Sequence, residues 1–307
     1  MSFTASNCLN VATCAESPVL SCEYEFFARE YDLSATLACG QAFNWEWSGA
    51  YWTGVVSGRW VRLRQTGDGI HVQTAEPQSS WSWLESYLQS GVELNEILTT
   101  FPADERLHEA VTTCRGLRLL RQDPWECLAS FILSSTKQIV QIRQIIGLLR
   151  MRFGSPLTVP AGELPAFAFP TATQIARVSE SELRACKMGF RAPYLLAAAR
   201  RVASAECDLN SLARLPLVEA RAELLKFHGV GEKIADCVLL FACGFSTAFP
   251  VDVWVAKALR QLYFRGRKIP LRRLREFSAA HFGANAGYAQ QYIFHYMRTR
   301  PPKKLSR

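Results

Sequence analysis

The chain of 307 residues is 49% hydrophobic and carries a net charge of +8, which describes a soluble globular protein with enough core for two or more packed subdomains. No apolar run reaches the ~18 residues that a membrane span needs, because the best candidate, Ile234 to Val255, holds Asp236 and Asp252. The charge is uneven: residues 1–115 hold 6 Lys/Arg against 14 Asp/Glu (net −8) and residues 116–307 hold 29 against 13 (net +16), a basic half that invites a polyanion without identifying one.

Met1 to Leu20 contain no Lys or Arg and no continuous apolar block, so neither a secretory signal nor an Arg-rich transit peptide is expected and the protein should stay inside the cell. From about Glu25 to Thr74, short runs rich in β-formers follow one another: Ala42–Trp47, Tyr51–Val56, Trp60–Gln65 and Ile70–Thr74. They are separated by Ser48-Gly49, Ser57-Gly58 and Gly67-Asp68-Gly69. Turns this short join antiparallel neighbours and exclude parallel crossovers, so a meander is predicted.

After Pro77 the period becomes helical. Apolar residues recur at helix spacing in Trp81–Ser90, Leu107–Thr113, Trp125–Leu133, Ile139–Phe153, Thr173–Val178, Glu180–Ala185, Ala192–Ala203, Leu217–Phe227, Lys233–Ala242, Val253–Tyr263, Arg272–Phe282 and Ala286–Met297. The predicted class is α+β: an antiparallel sheet subdomain with short helices, residues 1–115, packed on a mostly helical domain, residues 116–307. The tail Thr299–Arg307, with Pro301-Pro302-Lys303-Lys304, reads as a frayed solvated end, phosphate contact being the alternative. The ten cysteines are scattered, with no CxxC pair and no Cys/His cluster of zinc type, which points to reduced, mostly buried thiols and no metal.

The most informative stretch runs from Leu224 to Val238, where two helical patterns (about 217–242) meet across Gly229-Val230-Gly231. Glycines permit positive φ and close approach of a phosphate to the backbone. The second helix, starting near Glu232, turns its unpaired N–H groups and positive dipole end to the same place. A plain tight turn is the simpler alternative. Lys233 falls in the first turn of that helix, where the dipole disfavours a cation. A neutral amine there is a nucleophile able to form a Schiff base with a sugar carbon; an exposed helical lysine is the alternative. Asp252 precedes another helical run and fits an N-cap. A capping carboxylate whose other oxygen faces a reaction centre can also stabilise positive charge on a deoxyribose.

In this order, Gly229-Val230-Gly231, Lys233 and then Pro250-Val251-Asp252-Val253 resemble the bifunctional helix-hairpin-helix DNA glycosylases, and the 8-oxoguanine branch in particular. Four more stretches extend the resemblance from about Tyr31 to Arg298: Cys39-Gly40-Gln41-Ala42-Phe43-Asn44-Trp45, matching a strand of the family, Arg121-Gln122-Asp123-Pro124-Trp125-Glu126-Cys127, Met188-Gly189-Phe190-Arg191-Ala192, and Ala286-Gly287-Tyr288-Ala289-Gln290. The closely spaced cysteines of the superfamily's iron–sulfur branch are missing after Cys243, so no cluster or other cofactor is expected.

The resemblance implies an extruded base read in a pocket. The carbonyl of Gly40 would accept the N7 hydrogen that 8-oxoguanine has and guanine lacks. Facing the N7 lone pair of guanine, it would leave two acceptors unsatisfied at roughly 1–3 kcal/mol. Gln290 would read the Watson–Crick edge, Phe294 one turn later would stack on the base, and Cys237 one turn after Lys233 would form the other wall. On the duplex, Phe190 would wedge into the gap, Arg191 would bond the orphaned partner base, and Gly229, Val230 and Gly231 would hold phosphate. Four positions depart from the family: Thr136 stands for asparagine, Gln141 for arginine, Trp254 for histidine and Met297 for an acidic residue. The first two help the family recognise cytosine opposite the lesion, so the resemblance does not carry a strict opposite-cytosine preference over to this chain.

The function implied is that of a monomeric, intracellular base excision repair enzyme acting on double-stranded DNA that contains oxidised guanine. Lys233 attacks C1′ and expels 8-oxoguanine, and the Schiff base then allows β-elimination of the 3′ phosphate. Two alternatives stand beside it. An alkyl-purine glycosylase would share the layout and the aspartate but lack the lysine; a non-catalytic helix-hairpin-helix DNA-binding module would need neither.

Overall fold

The computed structural model describes residues 20–299; the segment before Leu20 and the basic tail at 300–307 lie outside the described residues. Strands β1 (Ser21–Phe27), β2 (Glu46–Trp47), β3 (Trp52–Val56), β4 (Arg59–Thr66) and β5 (Gly69–Gln78) form one antiparallel sheet in the order β1-β5-β4-β3-β2. Ser57 and Gly58 join β3 to β4 with φ of 49° and 72°, the backbone that a two-residue hairpin requires.

One expected strand is mostly absent. Of Ala42–Trp47, only Glu46 and Trp47 pair as strand. The rest is pinned to its surroundings through the side chain of Asn44 and through the flanking Gln41. Asn44 donates to the Val55 carbonyl at 2.7 Å and Gln122 to the Gln41 carbonyl at 2.7 Å. Buried Gln41 donates to the carbonyls of Thr36 (2.9 Å) and Arg118 (2.8 Å) and accepts from the Leu120 N–H (2.9 Å).

Fourteen α-helices lie among the described residues: α1 (Leu33–Ala38), α2 (Ser82–Leu88), α3 (Leu94–Thr99), α4 (Glu105–Thr113), α5 (Pro124–Leu133), α6 (Ile139–Phe153), α7 (Ala172–Ala176), α8 (Glu180–Leu183), α9 (Ala192–Ala203), α10 (Leu217–Leu225), α11 (Glu232–Val238), α12 (Val253–Tyr263), α13 (Leu271–His281) and α14 (Ala286–Thr299). A small hairpin, β6 (Pro156–Leu157) with β7 (Ala166–Phe167), follows α6. Helices α6, α9 and α12 coincide with their predicted runs. The run predicted from Lys233 to Ala242 divides into α11 and a π turn at Leu239–Cys243. Helices α1 and α3 were not expected, each being six residues and too short to show a period.

Two apolar cores result. The smaller lies under the sheet around Phe26, Trp45, Leu63 and Val72. The larger fills the helical part, and Leu107, Ala110 and Val111 of α4 belong to it although they precede residue 116, so the two parts share packing across that point. Helix α14 packs on α4 and α12, and α11 on α5. This brings the end of α5, the starts of α11 and α12 and the face of α14 to one place. No described helix is long and apolar enough to cross a membrane, the eight described cysteines are unpaired, and no His/Cys/Asp/Glu group among the described residues could hold a metal ion.

Candidate active site

Lys233 is the second residue of α11, after Gly231 at the cap, and no side chain caps this helix. The hairpin before it turns at Gly229, with φ of 81° and the Tyr194 ring packed so closely that a Cβ would meet it at 2.5 Å. Gly231 does not need glycine's freedom: its φ is −100°. Between them Val230 is buried, its N–H spent on the Phe227 carbonyl at 3.0 Å.

The half-buried Lys233 ammonium donates to Ser134 Oγ at 3.2 Å and lies 4.8 Å from the centre of the Phe131 ring. Ser134 gives its own proton to the Phe131 carbonyl at 2.7 Å, so its oxygen presents lone pairs to the lysine. Asp252 caps α12, with Oδ1 accepting the Val255 N–H at 2.7 Å, and Oδ2 makes no hydrogen bond to the described residues. Cys237, one turn beyond Lys233, is buried, and that burial pushes its thiol up to about 12 against the opposing pull of the lysine cation.

Lys233, Cys237, Asp252, Gly40, Gln290 and Phe294 line one cavity of about 410 Å³, a volume in the range of small-molecule sites. Gly40 sits at φ of 85°, and a Cβ there would come within 2.8 Å of Ile139, 3.3 Å of Arg298 and 3.6 Å of Phe294. Gln290 is 4% exposed, and its Oε1 is buried with no hydrogen-bond partner, an acceptor left for something that is not protein. Trp254, 46% exposed, stands at the rim with Lys257 Nζ 5.8 Å from its ring centre.

The remaining four expected residues lie off this cavity. Phe190 is 52% exposed. Arg191 is buried beneath it, with its guanidinium carbon 4.2 Å from the Phe190 ring centre, and donates to the carbonyls of Ser135 and Met188 and to Thr136 Oγ1 (2.5 Å). Thr136 has a φ of 56°, rare for a β-branched residue. Gln141 is occupied in capping α6, its Oε1 accepting the Gln138 N–H at 3.1 Å.

Among the lining residues that the sequence did not single out, such as Ser134, Phe131 and Lys137, two fasten the Gly40 turn. Gln291 Nε2 and Arg298 Nη1 both donate to the Cys39 carbonyl at 3.3 Å and so hold the turn that carries Gly40 against α14. The four-residue steps Gln290, Phe294, Arg298 were a readable signal for the arginine. Nothing local marks Gln291, whose bond spans 252 residues.

Residues 24–128 match the family model for the 8-oxoguanine DNA glycosylase N-terminal domain, and residues 129–279 that of the HhH-GPD superfamily of base excision DNA repair proteins. The chain is 33% identical over 286 residues to the N-glycosylase/DNA lyase OGG1 of Arabidopsis thaliana, covering 86% of this chain and 77% of that one. It is 33% identical to a probable N-glycosylase/DNA lyase of Methanothermobacter thermautotrophicus, over 65% of this chain and 69% of that one. Among solved structures, the 8-oxoguanine glycosylase/lyase of Clostridium acetobutylicum, in complex with double-stranded DNA containing cytosine opposite 8-oxoguanine, superposes with a TM-score of 0.84 at 30% identity. That match covers 91% of this chain and 98% of that one.

Proposed function

The chain belongs to the 8-oxoguanine DNA glycosylase/lyase family of the helix-hairpin-helix superfamily, and on that premise we propose that it excises 8-oxoguanine from duplex DNA with Lys233 as nucleophile and Asp252 as its carboxylate partner. The observation that supports this assignment is convergence: three helices and the Gly40 turn bring all six proposed catalytic and base-binding residues to one cavity.

Lys233, which donates to Ser134 Oγ and sits over the Phe131 ring, first gives up its ammonium proton to Asp252 or solvent, and the neutral amine then adds to C1′ as the bond to the base breaks. Asp252, with Oδ2 uncommitted, faces the positive charge that develops on the sugar. The amine–sugar adduct opens to a Schiff base, and β-elimination then releases the 3′ phosphate. Gln290 Oε1 takes the N–H donors on the Watson–Crick edge of the base, which relieves a buried orphan worth about 1–3 kcal/mol. Gly40 offers its carbonyl to N7–H, and Phe294 and the protonated Cys237 thiol close on the two faces of the ring. The uncapped start of α11, with the Gly229 and Gly231 backbone, takes a backbone phosphate while Val230, its N–H already bonded to the Phe227 carbonyl, anchors the turn from beneath, and Phe190 fills the gap in the duplex. All these groups come from one chain, so a monomer suffices, and the substrate places its action with the cell's DNA, in the cytoplasm or nucleus. No metal or organic cofactor has a step in this scheme.

Borohydride trapping with duplexes that carry 8-oxoguanine opposite each of the four bases tests the reading. A covalent adduct lost in Lys233→Gln is expected. Base release that persists in that variant would assign the chain to the alkyl-purine type of excision, and binding without release would leave only a DNA-holding module.

A further inference from the structure

Three cations line the cavity, Lys137, Lys233 and Arg298, and Asp252 is its one carboxylate among the described residues. Of the cations, Arg298 is the one held against the base-reading turn. Its Nη1 donates to the Cys39 carbonyl at 3.3 Å and would lie 3.3 Å from a Cβ on Gly40, and its guanidinium carbon is 5.3 Å from the centre of the Phe294 ring. Gly40, Phe294 and Arg298 are thus mutual neighbours. The guanidinium has five N–H donors and stays charged at any working pH, so one bond to Cys39 leaves several donors for a ligand.

We infer that Arg298 binds the carbonyl edge of the departing 8-oxoguanine and stabilises it as an anion. This rests on the assignment of the cavity as the base pocket. If the Gly40 carbonyl accepts N7–H, the groups on either side of N7 are the O6 and O8 carbonyls, both acceptors that need donors, and Arg298 is the donor beside Gly40 and Phe294. The chemistry asks for the same residue. As the Lys233 nitrogen bonds to C1′, the C1′–N9 bond breaks and its electron pair goes to N9. The negative charge spreads through the ring onto O8 and O6. The proton shed by the lysine nitrogen, through Asp252 or solvent, finally neutralises the base. A fixed cation at the carbonyl edge lowers the barrier because it interacts more strongly with the anion than with the neutral base. Arg298 therefore acts on excision and has no role once the base is absent.

The test separates the two steps: single-turnover release of 8-oxoguanine from duplex DNA, and strand cleavage at a preformed abasic site, for the unsubstituted protein, Arg298→Gln, Arg298→Lys and Lys233→Gln. Arg298→Gln should slow release about 100-fold, and the ratio of release to abasic cleavage should fall at least ~10-fold. Arg298→Lys keeps the cation but not the fork and should fall between. Should the glutamine variant not fold, the lysine variant carries the test with a ratio down by about 3-fold or more. Parallel loss of both steps, or loss of neither, overturns the proposal and leaves Arg298 as packing for the Gly40 turn. Absence of 8-oxoguanine release by the unsubstituted protein overturns both readings. Retained release in Lys233→Gln removes only the nucleophile assignment, with the Arg298 ratio still decisive.

Discussion

The two faces of the site are built on opposite plans. Toward the base, polar groups wait: Gln290 Oε1 is buried without a partner and Asp252 keeps one oxygen free of the described residues. Toward the opposite strand, polar groups already satisfy each other, Arg191 with Ser135 and Thr136, and Gln141 with Gln138. A ligand entering the first face repairs deficits, whereas one engaging the second must first break bonds of roughly 1–3 kcal/mol each where a charge is involved. In the proposed mode of binding, the lesion meets a prepared surface, and the base across from it meets one in competition with itself.

Substitutions sharpen or break this contrast. The largest effect belongs to Asp252→Asn, which keeps an efficient helix cap but removes the charge: excision should fall about 100-fold, and a change below 3-fold with unaltered melting would reduce Asp252 to a cap. Next is Gln290→Leu, which deletes the orphan acceptor. Affinity for 8-oxoguanine DNA should drop about 10-fold while Tm stays equal or rises, because an unsatisfied buried group is lost; a lower Tm would mean that Gln290 is structural. Smaller again is Thr136→Asn. Asparagine tolerates the left-handed backbone better than threonine, so Tm should rise by about 1–3 °C. Discrimination between cytosine and other opposite bases should widen by roughly 3-fold; no widening would show that the Arg191 bonds, and not Thr136 itself, blunt the choice.

The smallest effect lies away from the base cavity, in a separate pocket that Glu126 lines with Asn44 and Tyr87. Burial pushes the Glu126 carboxyl up to about 7, well above the ~4.3 of an exposed glutamate. A raised carboxyl contributes stability that is present below the unfolded value and lost as pH rises through 7. Glu126→Gln, neutral throughout, should therefore melt with the unsubstituted protein at pH 4.5 and a few degrees above it at pH 8, with excision unchanged at both. Equal melting at pH 8 would place Glu126 in contact with solvent.

Periodicity was enough to find the long helices, since fifteen residues of α6 or eleven of α12 sample several turns. It was blind to α1 and α3, and it overread Ala42–Trp47, where only Glu46 and Trp47 pair as strand and the segment is fastened mainly through side chains such as that of Asn44. The proposed catalytic pair, Lys233 and Asp252, was legible because the hairpin and the cap are local grammar. The bonds of Arg191 to Ser135 and of Arg298 to Cys39 link residues 56 and 259 apart, and neither leaves a mark in either neighbourhood.

Gly40 carries a consequence for how such a pocket can change. Any side chain at this position must adopt a left-handed backbone and also displace Ile139 and Arg298, so the turn is closed to gradual mutation: its neighbours in sequence space are dead ends. Helix α14 has no such constraint at Gln290, Phe294 and Arg298. A broader or shifted lesion range, whether reached by selection or by an engineer, has its open road along that helix face, with the Gly40 carbonyl kept as the fixed point.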